Sequence, residues 1–216
     1  MNKPIILLGN GGHASVLTDI LLQQRREIIG FTAPVEEPNH FNLSYLGTDE
    51  EIDSYSSDEV KLVLAIGSIR VSPIRAMIFQ KMKEKGYLFA SVIHPSAIIS
   101  SYAEIGEGVQ IMAGTVVQAF AKIADNTIVN TSSVIEHDCE IGEHCHIAPG
   151  VTLSGNVRVG RGTHIGIGTS VIQNTRIGSN ALVGAGSIVL KEVKENQTVY
   201  GVPAKEVTKW NDGNRF

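Results

Sequence analysis

The sequence has little of what several protein classes require. Two cysteines among 216 residues are too few for a disulfide framework, and no apolar run approaches the roughly 18 residues of a membrane-spanning helix. Acidic residues outnumber basic ones by 22 to 18, which disfavours a general nucleic-acid-binding protein. The first nine residues lack the pattern of a secretory signal. We therefore expect a cytoplasmic globular protein that has neither a membrane nor a nucleic acid as its partner.

Glycine is abundant, and most of the 22 glycines lie in the second half of the chain, where a six-residue repeat runs without interruption. Every sixth residue from Ile93 to Val189 is aliphatic, seventeen residues in all. Four positions after each of the first sixteen stands a small or β-branched residue, from Ala97 to Ser187. At the position three residues after each of these sixteen aliphatic residues, ten of the sixteen are Gly or Asn, which tolerate a positive φ.

A period of six fits neither a helix nor a plain alternating strand, but it suits a short strand followed by a sharp turn. We expect the aliphatic and the small residue of each repeat to point inward. Three repeats then form one triangular coil, and about five coils stack into a prism on the order of 25 Å tall. The repeat predicts a left-handed parallel β-helix over residues 93–190, followed by a C-terminal tail over residues 191–216.

The first half, residues 1–92, reads as a small α/β domain with a Rossmann-like parallel sheet. Strands are predicted at Ile5–Leu8, 27–31 and 60–66. Helices are predicted after the first strand and over 72–85. The polar segment 34–57 reads as loop, with a short helix near Asp49.

The loop Gly11-Gly12-His13 follows the first strand and precedes a helix, a place where backbone N–H groups and the helix N-terminus attract phosphate. A dinucleotide site would need a third glycine, where Ala14 stands, and an acidic residue ending the second strand, so a nicotinamide cofactor is disfavoured. A tight turn without ligand is the plain alternative. We favour the diphosphate of a nucleotide.

His137 and Asp138 fall at a turn of the repeat, between two inward residues, so both side chains should lie on the outside of the prism. A histidine beside a carboxylate is a candidate general base, since its unperturbed pKa lies near the working pH. The alternative is a solvated turn histidine with no role.

A zinc site is the other chemistry that histidines and cysteines can support. Cys139 and Cys145 occupy inward positions of the repeat, whereas the histidines occupy other phases, so we expect no metal. His146 and His164 are eighteen residues apart and should stack on one face. Spacing alone leaves open whether that column belongs to a cofactor groove.

Four motifs together give the chain a resemblance to the hexapeptide-repeat sugar acetyltransferases, and within them to the NeuD/PglD-type enzymes. The motifs are Gly11-Gly12-His13, the strand end Ala65-Ile66-Gly67, the stretch from Asn130 to His137, and Gly201-Val202-Pro203-Ala204-Lys205. The resemblance covers nearly the whole chain. It implies homotrimers with acetyl-coenzyme A (acetyl-CoA) in a groove between neighbouring solenoids, and a nucleotide-linked amino sugar held by the N-terminal domain.

The resemblance also implies the site residues. His137 matches the catalytic base, and Asp138 matches the carboxylate that increases its basicity. The positions that match acetyl-CoA contacts are His146, Ile167 and Ala185. The positions that match the sugar-nucleotide pocket are Gly11, Gly12, His13 and Gly67. Relatives that use a uridine nucleotide have an acidic pair after the second strand, where this chain has Phe31-Thr32, which favours a thymidine or guanosine nucleotide.

The resulting hypothesis is an N-acetyltransferase that acts directly on a nucleotide-linked 4-amino-4,6-dideoxy sugar, for surface polysaccharide or O-antigen synthesis. The alternatives are O-acetylation of sialic acid or a related sugar and, in a different class, a non-catalytic solenoid scaffold. We expect apolar outward residues such as Ile167, Ile172 and Met112 to be buried between protomers.

Overall fold

The computed structural model describes residues 3–207. Its N-terminal part is a three-stranded parallel sheet of order β2-β1-β3, formed by β1 (Ile5–Leu8), β2 (Ile28–Thr32) and β3 (Lys61–Leu64). Helix α1 (Gly12–Gln23) follows β1, and α2 (Ile74–Glu84) follows β3. A short 3-10 helix at Glu51–Ser54 confirms the helix predicted near Asp49.

The second part is a parallel β-solenoid made of two-residue strands. They are β4 (Val92–Ile93), β5 (Ile98–Ile99), β6 (Glu104–Ile105), β7 (Gln110–Ile111), β8 (Val116–Val117), β9 (Lys122–Ile123), β10 (Ile128–Val129), β11 (Val134–Ile135), β12 (Glu140–Ile141), β13 (His146–Ile147), β14 (Thr152–Leu153), β15 (Arg158–Val159), β16 (His164–Ile165), β17 (Ser170–Val171), β18 (Arg176–Ile177), β19 (Leu182–Val183) and β20 (Ile188–Val189). Two further strands, β21 (Thr198–Tyr200) and β22 (Lys205–Glu206), follow them.

Every third strand joins the same sheet, so the solenoid has three faces. Face 1 contains β4, β7, β10, β13, β16 and β19, then β21 and β22; face 2 contains β5, β8, β11, β14, β17 and β20; face 3 contains β6, β9, β12, β15 and β18. Six strands on face 2 make about six coils, one more than the five predicted from the repeat.

The turns confirm the expected conformation. Every sixth residue from Gly108 to Gly186 has a positive φ, between 53° and 67°. Gly and Asn supply most of these positions, but Phe120, Asp138 and His144 also adopt this conformation. The aliphatic and the small positions point inward as predicted, and from Val109 onward both sets are buried in one continuous core.

The N-terminal domain packs against face 1. One cluster of buried residues joins the α1 side of the sheet to Met112 and Ile128 of the solenoid, and a second fills the space between the sheet and α2. The expectation that Met112 lies on an exposed face is therefore wrong: the residue is 1% exposed because the N-terminal domain covers it. Ile167 and Ile172 are exposed as expected.

The end of the solenoid lies beyond residue 190. Within the segment 191–216, β21 pairs in parallel with β19 and so extends face 1, and β22 returns antiparallel to β21. Residues 201–204 of the Gly201-to-Lys205 motif connect these two strands, and Lys205 begins β22. Residues 208–216 lie outside the described part of the chain.

Candidate active site

His137 and Asp138 lie on the corner between faces 2 and 3, in the turn from β11 to β12. Their side chains are 62% and 55% exposed, as the repeat predicts. The Nδ1 of His137 is 2.7 Å from Oδ2 of Asp138. Since a carboxylate accepts hydrogen bonds, Nδ1 of a neutral imidazole carries the proton in this contact, and Nε2 then carries the lone pair.

The backbone of Asp138 fixes this pair. Its φ is 59°, and its N–H donates a 3.2 Å hydrogen bond to the carbonyl of Ala119 in the preceding coil. Aspartate is among the residues that best tolerate such a turn. The carboxylate is therefore held beside the imidazole by the geometry of the corner.

Gly155 lies beside His137, one coil further along the same corner. A Cβ built on Gly155 would stand 2.6 Å from both Cε1 and Nε2 of the imidazole. Only glycine leaves room for the ring in this position. The sequence analysis missed Gly155, although its distance of eighteen residues from His137 could have indicated it.

The predicted sugar-nucleotide residues gather at the junction between the N-terminal domain and face 1. Helix α1 begins at Gly12, and Gly11 and Gly12 both border open space. Within the described chain, no side chain caps this helix N-terminus, and its first turn carries no acidic residue. Gly67 lies against His13, with 3.1 Å between its ideal Cβ and the Cβ of His13.

His146 lies at the same junction, on face 1. It stacks edge-on with His164 at 4.8 Å between ring centroids, which confirms the predicted column. Its Nδ1 is 3.0 Å from the hydroxyl of Ser68, at the end of the N-terminal sheet. Burial, and then the neighbouring His164, lower the pKa of His146 to about 3, so the ring is neutral at physiological pH.

Ile167 and Ala185 lie on the corner between faces 1 and 2, one coil apart. Both are exposed, and Ile167 is 61% exposed. Asn130 lies on the same corner, and its amide nitrogen is 3.4 Å from Nε2 of His146. Of the predicted acetyl-CoA residues, His146 thus lies at the junction with the N-terminal domain, and Ile167 and Ala185 lie at the edge of the same face.

One chain does not bring all the predicted residues together. The corner that carries His137 and Asp138 is opposite face 1 in a three-sided prism, whereas the other candidates lie on face 1 or at its edge. The prism core separates the two groups.

Arg75 of α2 is a residue of the junction that the sequence analysis missed. Its guanidinium donates to the carbonyls of Leu64 at 3.1 Å and of Ile66, and to Oδ1 of Asn126 at 2.8 Å. Burial lowers its pKa to about 9, which leaves it protonated at neutral pH. A helix pattern in the sequence gives no sign of such a buried cation.

Two concave surfaces lie outside these groups. A groove of about 850 Å³ runs along face 3, where Lys122 pairs with Glu104 at 2.9 Å and Arg158 approaches Glu140 at 3.8 Å. A cavity of about 480 Å³ lies beside the end of β2 and is lined by polar and aromatic side chains, among them Phe31, Glu36, Glu37, Asn39, Asn42 and Tyr45.

The end of β2 bears on the expectation of a thymidine or guanosine nucleotide, which was based on the lack of an acidic pair at Phe31-Thr32. The strand continues to Thr32, so Phe31 and Thr32 lie within it, not after it, and both are buried. The first acidic residues beyond the strand are Glu36 and Glu37, which line the cavity. An acidic pair is therefore present, five residues later than the expected position Phe31-Thr32.

The candidate metal ligands do not cluster in the described part of the chain, and both thiols lie in the core. Among residues 3–207, no group of three or more His, Cys, Asp or Glu side chains is arranged to hold a metal ion. Cys139 and Cys145 are buried, and burial raises the pKa of their thiols to about 11 and about 12. Both are therefore protonated, poor nucleophiles at neutral pH.

Among residues 3–207, the structure has no helix with the length and apolar character that a membrane span requires.

Comparisons with known proteins agree with this fold. Residues 4–82 match the family model of the PglD N-terminal domain, and residues 120–155 match that of the bacterial transferase hexapeptide. The acetyltransferase domain of PglB from Neisseria gonorrhoeae is 32% identical, with a TM-score of 0.90; the match covers 95% of this chain and 100% of that one. The chain belongs to the hexapeptide-repeat sugar acetyltransferases of the NeuD/PglD type.

Other members of this family are similar over their whole length. A variant of perosamine N-acetyltransferase from Caulobacter crescentus, in complex with CoA and GDP-perosamine, is 30% identical over 96% of this chain and 98% of its own, with a TM-score of 0.90. WeeI from Acinetobacter baumannii is 25% identical over 95% and 100%, with a TM-score of 0.85. A search of curated proteins found no match.

Proposed function

We propose that this protein is an acetyl-CoA-dependent N-acetyltransferase, which acts on the amino group of a nucleotide-linked 4-amino-4,6-dideoxy sugar. The observation that carries the proposal is the exposed His137–Asp138 pair, in which the carboxylate engages Nδ1 and Nε2 has no hydrogen-bond partner among residues 3–207. The complexes of similar proteins with CoA and GDP-perosamine, or with acetyl-CoA, support both substrates. Surface polysaccharide synthesis is the use to which the family resemblance points.

In this proposal the acetyl group moves directly between the two substrates. The neutral amine attacks the thioester carbonyl, the new C–N bond forms, and the C–S bond breaks. Nε2 of His137 takes the surplus proton of the amine and returns it to the departing sulfur, while Asp138 stabilises the imidazolium. Because both cysteines are buried and protonated, direct transfer is favoured over an acyl-enzyme.

Within one chain, the His137–Asp138 pair is separated from the candidate residues on face 1. The proposal therefore includes an oligomer that brings the two groups together. A sugar nucleotide bound at His13 and Gly67 lies on the face 1 side of the prism, away from His137 of the same chain. We propose a homotrimer, in which the pocket of one protomer faces the His137 corner of its neighbour and acetyl-CoA lies between them along Ile167 and Ala185. Exposed apolar residues on face 2, including Ile98 and Ile188, suit such a contact.

Separate features of the N-terminal domain suit the diphosphate and the base of the sugar nucleotide. The uncapped N-terminus of α1 at Gly12 suits the diphosphate. The cavity beside β2 suits the base, and its carboxylates, Glu36 and Glu37, can accept hydrogen bonds from a base. Guanine offers two neighbouring donors, N1–H and the N2 amino group, whereas thymine and uracil offer one. We therefore favour a guanosine nucleotide. The family resemblance associates an acidic pair near this strand with a uridine nucleotide, and the substrate panel below distinguishes the two.

A thiol-release assay tests the proposal. Acetyl-CoA is supplied with a panel of GDP-, dTDP- and UDP-linked 4-amino-4,6-dideoxy sugars, and free sialic acid serves as the O-acetylation arm. We expect turnover with an amino sugar, and a loss of about 10²–10⁴-fold in kcat for His137→Ala. His40→Ala is the control, since His40 is exposed in the N-terminal domain. Turnover of sialic acid alone, or a near-normal kcat for His137→Ala, contradicts the proposal.

A further inference from the structure

Gln110 is a polar side chain in an apolar row. It lies on face 1 with Val92 and Ile128 as its ladder neighbours, and it is 1% exposed. Its Nε2 donates a 2.8 Å hydrogen bond to the carbonyl of Leu64, and its Oε1 is 2.7 Å from Nε2 of His13. A buried amide keeps its place only when such bonds are made, so these contacts fix its orientation.

The contacts of Gln110 determine which nitrogen of His13 carries the proton. A backbone carbonyl only accepts, so the amide nitrogen of Gln110 must face Leu64 and the amide oxygen must face His13. That oxygen also only accepts, and Nε2 of His13 is therefore the donor. Burial lowers the pKa of His13 to about 4, so the ring is neutral and its Nδ1 carries a lone pair.

Nδ1 of His13 is free to meet a ligand. It has no hydrogen-bond partner in the part of the chain that the structure describes. Gly67 lies beside it, with 3.9 Å between its ideal Cβ and Nδ1, so no side chain from this turn fills the space. An acceptor nitrogen repels phosphate oxygens but attracts a hydroxyl or an amine hydrogen.

Arg75 supports the arrangement from the other side. Its Nη1 donates to the same Leu64 carbonyl, at 3.1 Å, and its Nη2 holds Oδ1 of Asn126 on the solenoid. The carbonyl thus receives hydrogen bonds from both Arg75 and Gln110. It cannot turn away without leaving two buried donors unsatisfied.

We propose that Gln110 is a positioning residue that holds His13 in its Nε2–H form, so that Nδ1 accepts a hydrogen bond from a hydroxyl of the acceptor sugar nucleotide. The inference rests on the proposed function, because it concerns the same pocket. It assigns His13 to hydroxyl recognition and leaves the diphosphate to the N-terminus of α1.

Nitrogen-15 NMR of the histidine side chains tests the first half of the proposal. At neutral pH we expect wild-type His13, assigned from the spectrum of His13→Phe, to show the Nε2–H tautomer. In Gln110→Leu, which matches the apolar ladder neighbours, we expect a mixture of tautomers. Lys83→Met is the control, since it removes a different contact between the N-terminal domain and the solenoid, the 2.7 Å ion pair of Lys83 with Glu107. A wild-type Nδ1–H tautomer would overturn the proposal.

Steady-state kinetics test the second half. We expect Gln110→Leu and His13→Phe to raise KM for the nucleotide sugar about five- to tenfold, in line with one lost hydrogen bond, and the double variant to add little. KM for acetyl-CoA should stay unchanged, and Lys83→Met should leave both values unchanged. An acceptor KM within twofold of wild type in Gln110→Leu refutes the positioning role. If the wild-type protein acetylates no sugar of the panel, the proposed function fails, and the tautomer spectra alone decide the role of Gln110.

Discussion

The imidazole of His137 lies so close to Gly155 that a methyl group on Gly155 would stand 2.6 Å from the Nε2 atom. The two residues occupy the same corner in successive coils, and the N–H of Asn156 donates to the carbonyl of His137 at 2.9 Å. Gly155 does not adopt a positive φ, so the backbone does not require glycine at this position. The missing side chain instead leaves room for the imidazole.

Replacement of Gly155 by alanine should therefore displace His137, the proposed base, without unfolding the chain. We expect Gly155→Ala to lower kcat by roughly 10- to 100-fold, the scale of a catalytic group moved by about 1 Å, with little change in KM for acetyl-CoA. Steady-state kinetics and a thermal melt measure both effects. Gln173→Ala, one coil further along the corner, is the matched control. Full activity in Gly155→Ala would show that the ring position observed here is not the working one.

Asp138 tests the tautomer of the base. Asparagine also adopts a positive φ readily, so Asp138→Asn should keep the turn and remove only the charge. We expect kcat to fall at least tenfold, because the ring is then no longer held with Nδ1 protonated. The crystal structure of the variant is the companion measurement: an unchanged corner with unchanged kcat excludes Asp138 from the mechanism.

The buried histidines of face 1 predict an acid sensitivity of folding. Burial lowers the pKa of His164, whose Nδ1 is buried without a hydrogen-bond partner in the described chain. Above the unfolded pKa of about 6.5 neither state holds the proton, so the residue contributes nothing to the pH dependence. Below this pKa, His164 binds a proton in the unfolded chain but not in the folded chain, so stability falls as the pH decreases.

His164→Leu should reduce this dependence, and leucine is also the residue of the ladder neighbour Leu182. Between pH 6.5 and 5, we expect the free energy of unfolding of wild type to fall more steeply than that of the variant, by up to about 1.4 kcal/mol per pH unit. Urea unfolding at several pH values measures the difference. Parallel curves would mean that His164 accepts a proton in the folded state.

The sequence predicted the solenoid well because the repeat is local. An inward aliphatic such as Ile135 and a positive-φ residue such as Asn156 recur every six residues, and each coil repeats the same choice. The outward position of His137 followed from the same register. Beyond residue 190, β21 continues face 1 without the hexapeptide pattern, so the repeat does not predict this strand.

The sequence could not predict what depends on contacts between the two domains. Met112 stands in an outward phase of the repeat, and only the N-terminal domain makes it a core residue. In the sequence, Gln110 and Arg75 look like ordinary polar residues of a strand and a helix. Packing between the two domains buries both side chains and determines their hydrogen-bond partners. Their roles come from residues that are distant in the sequence, so no local pattern shows them.

The central claim of this account is that each active site combines the pocket of one protomer with the His137 corner of another. Complementation tests it most directly. His137→Ala and His13→Phe chains are unfolded together, mixed in equal amounts and refolded, and each variant refolded alone is the control. Sedimentation confirms that the mixture is trimeric.

The account predicts that the mixture recovers about one quarter of the wild-type activity, since half of the pockets are intact and half of those face an intact corner. At acceptor concentrations well below KM, the expected rise in KM leaves His13→Phe alone with roughly 10–20% of the wild-type activity, so the recovery is measured against the mean of the two variants refolded alone. A mixture no more active than the two variants measured separately would show that each site lies within a single chain, and the shared site would have to be abandoned.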